Sequence, residues 1–174
     1  MWIKPENFFL ESEGQSHELW RINGRHIMRI RSGIILIEEN KVALIERHRA
    51  ELHYFTFPGG GVDEGESPEQ AAIREAEEEL GIQVKLKQKA AEVQFGGRLQ
   101  VYFLAEKQSG EFGTGTGEEY GEYDPLHGTY QPLWMPLEDM KSRNVVPREL
   151  ADLVLRFVKE GWPLEPVIIV EEKR

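Results

Sequence analysis

Apolar positions in residues 27–47 fall into two short runs, 33–37 and 42–45, separated by the polar Glu38, Glu39, Asn40 and Lys41. Apolar runs on either side of a polar turn predict a β-hairpin. A third strand is predicted over 54–57, where the chain runs into Pro58, Gly59, Gly60 and Gly61. Successive glycines open backbone angles closed to other residues, so this strand should end in a tight loop. The period then changes. Ala72, Ala76 and Leu80 recur at four-residue spacing with Ile73 beside them, a narrow stripe of small residues suited to close packing of a helix on a sheet. Ser67 is a good N-cap, Pro68 suits the first helical position, Gln70 completes a capping box and Gly81 stands where a C-terminal cap belongs, which predicts a helix over 68–80.

Beyond the helix, strands are predicted at 98–106 and 130–135. A second helix is predicted over 147–159, carrying Leu150, Leu153, Val154, Phe157 and Val158 and closed by Gly161, and a last edge strand at 167–170. Between the two strands lie about two dozen residues rich in Gly, Thr, Glu and Tyr, longer than an ordinary connection. The spacing of Gly113, Gly115 and Gly117 in this loop reads as flexibility. Residues 1–26 carry Trp2, Phe8, Phe9 and Trp20 without a clear period. They are expected to form an extension packing on the domain and covering a sheet edge, although such a segment could equally serve a homodimer interface.

With 174 residues, one domain over 27–174 with this extension is the natural organisation. A formal charge of −10, from 31 acidic against 21 basic residues, argues against a nucleic-acid backbone or an anionic membrane as the main partner. Cysteine is absent, which removes disulfides, thiolate metal sites and a cysteine nucleophile. No apolar run approaches a signal peptide or a membrane span, and a cytoplasmic protein is expected.

The first helix concentrates negative charge. Glu75, Glu78 and Glu79 are three or four residues apart and should share one face, with Arg74 and Glu77 flanking. Like charges at this spacing repel, and acids near a helix C-terminus oppose the macrodipole. A solvated acidic face is the plain reading of such a cluster. A bound cation is the functional one, and hard oxygen donors suit Mg²⁺, with Mn²⁺ as a substitute, better than zinc. The histidines other than His48 show no spacing for a metal site.

Reading from Gly60, the chain gives five residues, Glu66, seven residues, then Arg74, Glu75, Ala76, Glu77, Glu78, Glu79, Leu80 and Gly81. This resembles the box of the Nudix hydrolases at every fixed position. The resemblance is tight over 60–82 and loose, through strand order, over 34–57 and 93–137. It implies an α/β fold, a mixed β-sheet sandwiched between α-helices. It also implies a Mg-dependent pyrophosphatase that cleaves a phosphoanhydride bond in a small nucleotide-like substrate, either a nucleoside diphosphate-linked compound or a nucleoside triphosphate.

By the same resemblance, metal falls to Glu75, Glu78 and Glu79 with a carbonyl of Gly59 or Gly60. Arg74 holds a box carboxylate, and Glu66 is its distal partner. The general base is Glu78 or Glu79, with Glu119 in the long loop as the outside candidate. Arg47 and Arg49, with His48 between them, stand where many family members contact substrate phosphates, and they read equally well as solvated charges. Marks that separate subfamilies are absent: Gly96, Gly97 and Arg98 stand where some carry proline or tyrosine. A nucleoside triphosphate, including an oxidised one, is the leading expectation for the substrate. The competing reading is a catalytically silent Nudix-fold module that binds a nucleotide as a sensor.

Overall fold

The computed structural model describes residues 20–22, 25–27, 30–95, 98–116 and 128–170. It begins with a small antiparallel ribbon, β1 (Trp20–Ile22) against β2 (Arg25–Ile27). The rest of the expected extension lies outside the described residues.

The hairpin predicted from the apolar pattern is β3 (Ile30–Glu38) and β4 (Lys41–Arg49). Glu39 and Asn40 turn it with φ of 47° and 59°, as a two-residue turn requires. The two strands pair only at Ile37–Val42 and Glu38–Lys41 and then diverge. Past that point β3 runs parallel to β8 (Arg98–Gly110), while β4 runs antiparallel to β9 (Thr129–Pro136). The chain crosses the gap between them. β5 (Leu52–Thr56) follows β4, Pro58 accepts from the Ile34 amide at 3.0 Å, and β6 (Gly59–Gly61) pairs with β3. The glycine turn therefore sits at the split in the sheet.

The outer strands are β7 (Ile82–Phe95) beside β8, β10 (Val145–Val146) beside β5, and β11 (Val167–Val170) at the edge beside β7. The strand β7 was not anticipated. Its run of Ile82, Val84 and Leu86 is broken up by register shifts at 83/84, 86/88 and 89/91, and bulges of this kind reset which face a residue occupies.

Alternation divides the core into two layers. Ile34, Leu36, Ala43, Ile45, Val101 and Phe103 pack with helix α1 (Pro68–Leu80). Ile35, Val42, Leu44 and Tyr102 pack with helix α2 (Arg148–Glu160). The mixed sheet thus lies between two helices, the α/β/α sandwich expected from the sequence. A 3-10 helix (Leu137–Lys141) leads from β9 toward α2 and buries Met140. On α2 the buried positions are Leu150, Ala151 and Val154, while Val158, expected on the apolar face, is exposed. Among the described residues, no helix is long and apolar enough to cross a membrane.

Candidate active site

The helix α1 occupies the predicted span, and its ends are held as the sequence indicates. Ser67 Oγ accepts from the Gln70 amide at 3.2 Å, and the Ser67 amide donates to Gln70 Oε1 at 2.9 Å. At the other end Gly81 takes φ 74° and donates to the Glu77 carbonyl at 2.9 Å. The buried stripe is Ala71, Ala72, Ala76 and Leu80. Ile73, expected beside it, is 39% exposed. Small side chains let the helix approach the sheet closely, and that approach carries Glu75 and Glu79 into the interior, at 7% and 5% exposure.

Both carboxylates meet the glycine turn. Glu79 Oε2 accepts from the Gly59 amide at 2.7 Å. A Cβ at Gly60 would overlap the Glu75 carboxylate, so only glycine leaves that group its place. Gly60 pairs with Ser32 in the β3–β6 ladder, whereas the Gly59 carbonyl accepts from Arg31 Nη2 at 2.8 Å.

Arg74 ties the unit together. Its Nε and Nη2 donate to the two carboxylate oxygens of Glu66, each at 2.9 Å, a bidentate grip across eight residues. Nη2 also donates to the Gly61 carbonyl at 2.9 Å, and Nη1 donates to Glu75 at 2.8 Å and to Glu78 at 3.1 Å. The Arg74 guanidinium holds the Glu66 carboxyl below the usual carboxylate range by hydrogen bonding to its charged form, against a smaller opposing effect of burial. Glu66 in turn raises Arg74 further above the range in which it would lose its proton.

The three box glutamates do not converge as expected. Glu75 and Glu79 line a cavity of about 170 Å³ at the sheet split. Glu78 lies outside that lining, with its side chain 44% exposed and drawn toward Arg74. The reason is geometric: Glu75 and Glu79 are one turn apart and follow the buried stripe, while Glu78 is rotated toward solvent.

The same cavity is lined by Arg31, Arg47, Thr56 and Tyr130. The Arg47 guanidinium carbon sits 3.3 Å from the Tyr130 ring centroid, a cation–π contact that fixes the cation at the cavity wall. Arg49, two residues on, is exposed beyond the cavity lining, and His48 points to the other face of β4 and stacks on His53. Arg31, Thr56 and Tyr130 were not anticipated, because they join the site through strand pairing rather than a motif. Glu119 lies outside the described residues.

The start of the long loop is described, and at Gly113 and Gly115 it corrects the reading as flexibility, while Gly117 lies outside the described residues. The Gly113 amide donates to the Leu80 carbonyl at 2.9 Å, and a Cβ at Gly115 would strike the Glu78 and Glu79 carbonyls. These glycines allow the loop to press against the C-terminal end of α1.

A mixed sheet between helices, with a glycine turn set against a carboxylate helix, is the framework of a Nudix-type hydrolase. Comparison with known proteins agrees: the NUDIX domain family matches residues 28–156, and the chain belongs to that family. Over 58 residues it is 45% identical to the 8-oxo-dGTP diphosphatase of Escherichia coli, covering 32% of this chain and 44% of that protein. Over 124 residues it is 28% identical to the NAD-capped RNA hydrolase NudC of Photobacterium profundum, covering 70% of this chain and 44% of that one. The chain thus spans less than half the length of either relative. A NUDIX hydrolase from Nitrosomonas europaea superposes with a TM-score of 0.63 at 20% identity, covering 94% of each chain, a likeness of fold.

Proposed function

We propose that the chain is a Mg²⁺-dependent hydrolase that cleaves a phosphoanhydride bond in a nucleoside triphosphate or a nucleoside diphosphate-linked compound. The observation that carries this reading is the cavity itself, which holds two buried carboxylates, Glu75 and Glu79, together with two cations, Arg31 and Arg47. Glu75 is paired with Arg74 and Glu79 accepts from the Gly59 amide, and an all-oxygen donor set beside a turn with no side chains fits Mg²⁺ or Mn²⁺.

Glu75 and Glu79 would hold such an ion with the Gly59 carbonyl once Arg31, which donates to that oxygen at 2.8 Å, turns to the substrate phosphates. Glu78 is the third candidate ligand, since a single contact to Arg74 on a half-exposed side chain costs little to break. When bound, the metal supplies charge neutralisation at the phosphates and lowers the pKa of a coordinated water.

The remaining work falls to the chain's own groups. Arg74 and Glu66 hold the turn and the helix in register. Arg31 and Arg47 neutralise phosphate oxygens and orient the chain of phosphates. Of the two helical candidates for general base only Glu79 lines the cavity, and we assign it the proton of the attacking water. The new O–P bond forms as the anhydride P–O bond breaks, and the leaving phosphate departs with its electron pair.

A cavity of about 170 Å³ is below the roughly 300–1,000 Å³ that encloses a drug-sized ligand. It fits the phosphate end of a nucleotide and leaves the base outside. The name of the E. coli relative supports an oxidised nucleoside triphosphate as the first substrate to try. The acidic charge of −10 favours a small substrate over an RNA chain.

A panel of nucleoside triphosphates, oxidised triphosphates and diphosphate-linked nucleosides, assayed for released phosphate and pyrophosphate, tests the reading. Hydrolysis of at least one member is expected with Mg²⁺ or Mn²⁺ and none in excess chelator. Equal rates in chelator would overturn the mechanism, and nucleotide binding without turnover would mark a sensor.

A further inference from the structure

Strand β4 carries two sets of side chains on opposite faces. Ile45 and Arg47 line the cavity, while Glu46 and His48 alternate with them and project from the other side. Across the hairpin, His48 stands directly opposite His53 of β5, and the two imidazoles stack with centroids 4.1 Å apart and planes 11° from parallel. Glu46 Oε1 lies 2.7 Å from His53 Nε2 and 3.5 Å from His48 Nε2.

One ligand atom from each of the three side chains falls within 4.8 Å of the other two, and among the described residues no other cluster of His, Asp or Glu does so. Asn144 Nδ2 donates to the His53 carbonyl at 3.1 Å, and the Phe55 ring lies 5.1 Å from the His53 ring. The His53 ring leans on Phe55, and both imidazoles are open to solvent, with side chains 54% and 44% exposed for His48 and His53.

We propose that Glu46, His48 and His53 form a binding site for one transition-metal dication of the zinc class, separate from the carboxylates of α1. Two imidazoles and a carboxylate, with water in the remaining position, are a donor set that zinc accepts, and imidazole selects zinc, nickel or copper over magnesium. Tetrahedral zinc with bonds near 2.0–2.1 Å places its ligand atoms about 3.3 Å apart. The separations at Glu46 bracket that value, and one imidazole must turn out of the stack to share the ion, because near-parallel rings do not aim their in-plane nitrogen lone pairs at one point. The ion ties β4 to β5 behind the cavity, on the strands that deliver Arg47 and Thr56 to its front.

This site does not depend on the hydrolase reading, and its test is a binding measurement. Metal-free protein in saturating Mg²⁺ is titrated with Zn²⁺, followed by calorimetry and by the imidazole proton resonances. One equivalent should bind with micromolar or tighter affinity and shift two of the five histidines. His53→Gln and His48→Gln should each weaken binding by about 100-fold, the order expected for loss of one of few ligands, with circular dichroism unchanged. Glu79→Gln should leave the Zn²⁺ affinity as it was. Zinc binding that survives both histidine substitutions, that vanishes in Glu79→Gln, or that needs millimolar metal would overturn the proposal in favour of a plain histidine–glutamate hydrogen bond.

Discussion

At the scale of single residues, the site rests on where one atom is missing. Gly60 has no Cβ, and the Glu75 carboxylate occupies the space a methyl group would take. In Gly60→Ala the carboxylate must swing aside, since it is the movable partner. The fold should survive with a loss of about 1–3 kcal/mol, the usual cost of an overpacked site. Affinity for Mn²⁺, measured by electron paramagnetic resonance, should fall by about tenfold or more. Unchanged Mn²⁺ binding would remove Glu75 from the metal site. Gly60 was legible as part of a motif, but its steric reason was not, because it depends on the distance between a turn and a helix that meet only in the folded chain.

At the scale of elements, α1 is the part most fully written in local sequence. Its capping box, first-turn proline and C-terminal glycine act over three or four residues, so they can be read without tertiary structure. Ser67→Ala removes the hydroxyl that accepts from Gln70. It should cost about 1 kcal/mol in urea unfolding, typical of a lost N-cap, with turnover per folded molecule nearly unchanged. A loss of turnover at normal stability would instead mean that the cap positions Glu75 and Glu79. Strand β7 is the opposite case. Its three register shifts break the alternation, and the adjacent Ala90 and Ala91 both lie in the α2-side core; a period broken in this way leaves no pattern to follow.

At the scale of the molecule, the Glu66–Arg74 grip links the loop after the glycine turn to α1, and acid stability should report it. The folded-state pKa of Glu66 lies below its ordinary value because Arg74 stabilises the charged form. Between the two values the unfolded chain binds more protons, so stability rises with pH across that window. The contribution is fully present above the unfolded glutamate value of about 4.3 and disappears as pH falls through the depressed one. Glu66→Gln should therefore cost about 1–2 kcal/mol at neutral pH, and the gap to the parent protein should narrow in acid. Urea midpoints measured from neutral to acidic pH check this. A gap that persists unchanged in acid would show that the charge is not what matters.

Local chemistry determined the hairpin, the span and caps of α1, and the spacing of Gly60, Glu66, Arg74, Glu75, Glu78 and Glu79, because turns, caps and helical periods depend on residues a few positions apart. Tertiary structure decided which of those glutamates are buried. The close approach of α1 over its alanine stripe takes Glu75 and Glu79 inward and leaves Glu78 at the flank. It also decided the company they keep. The divergence of β3 from β4 brings Arg31, Arg47 and Tyr130 to the glycine turn, and the β4–β5 register sets His48 against His53. Strand register and sheet splitting are settled by burial of whole faces, and no single stretch of chain carries that information.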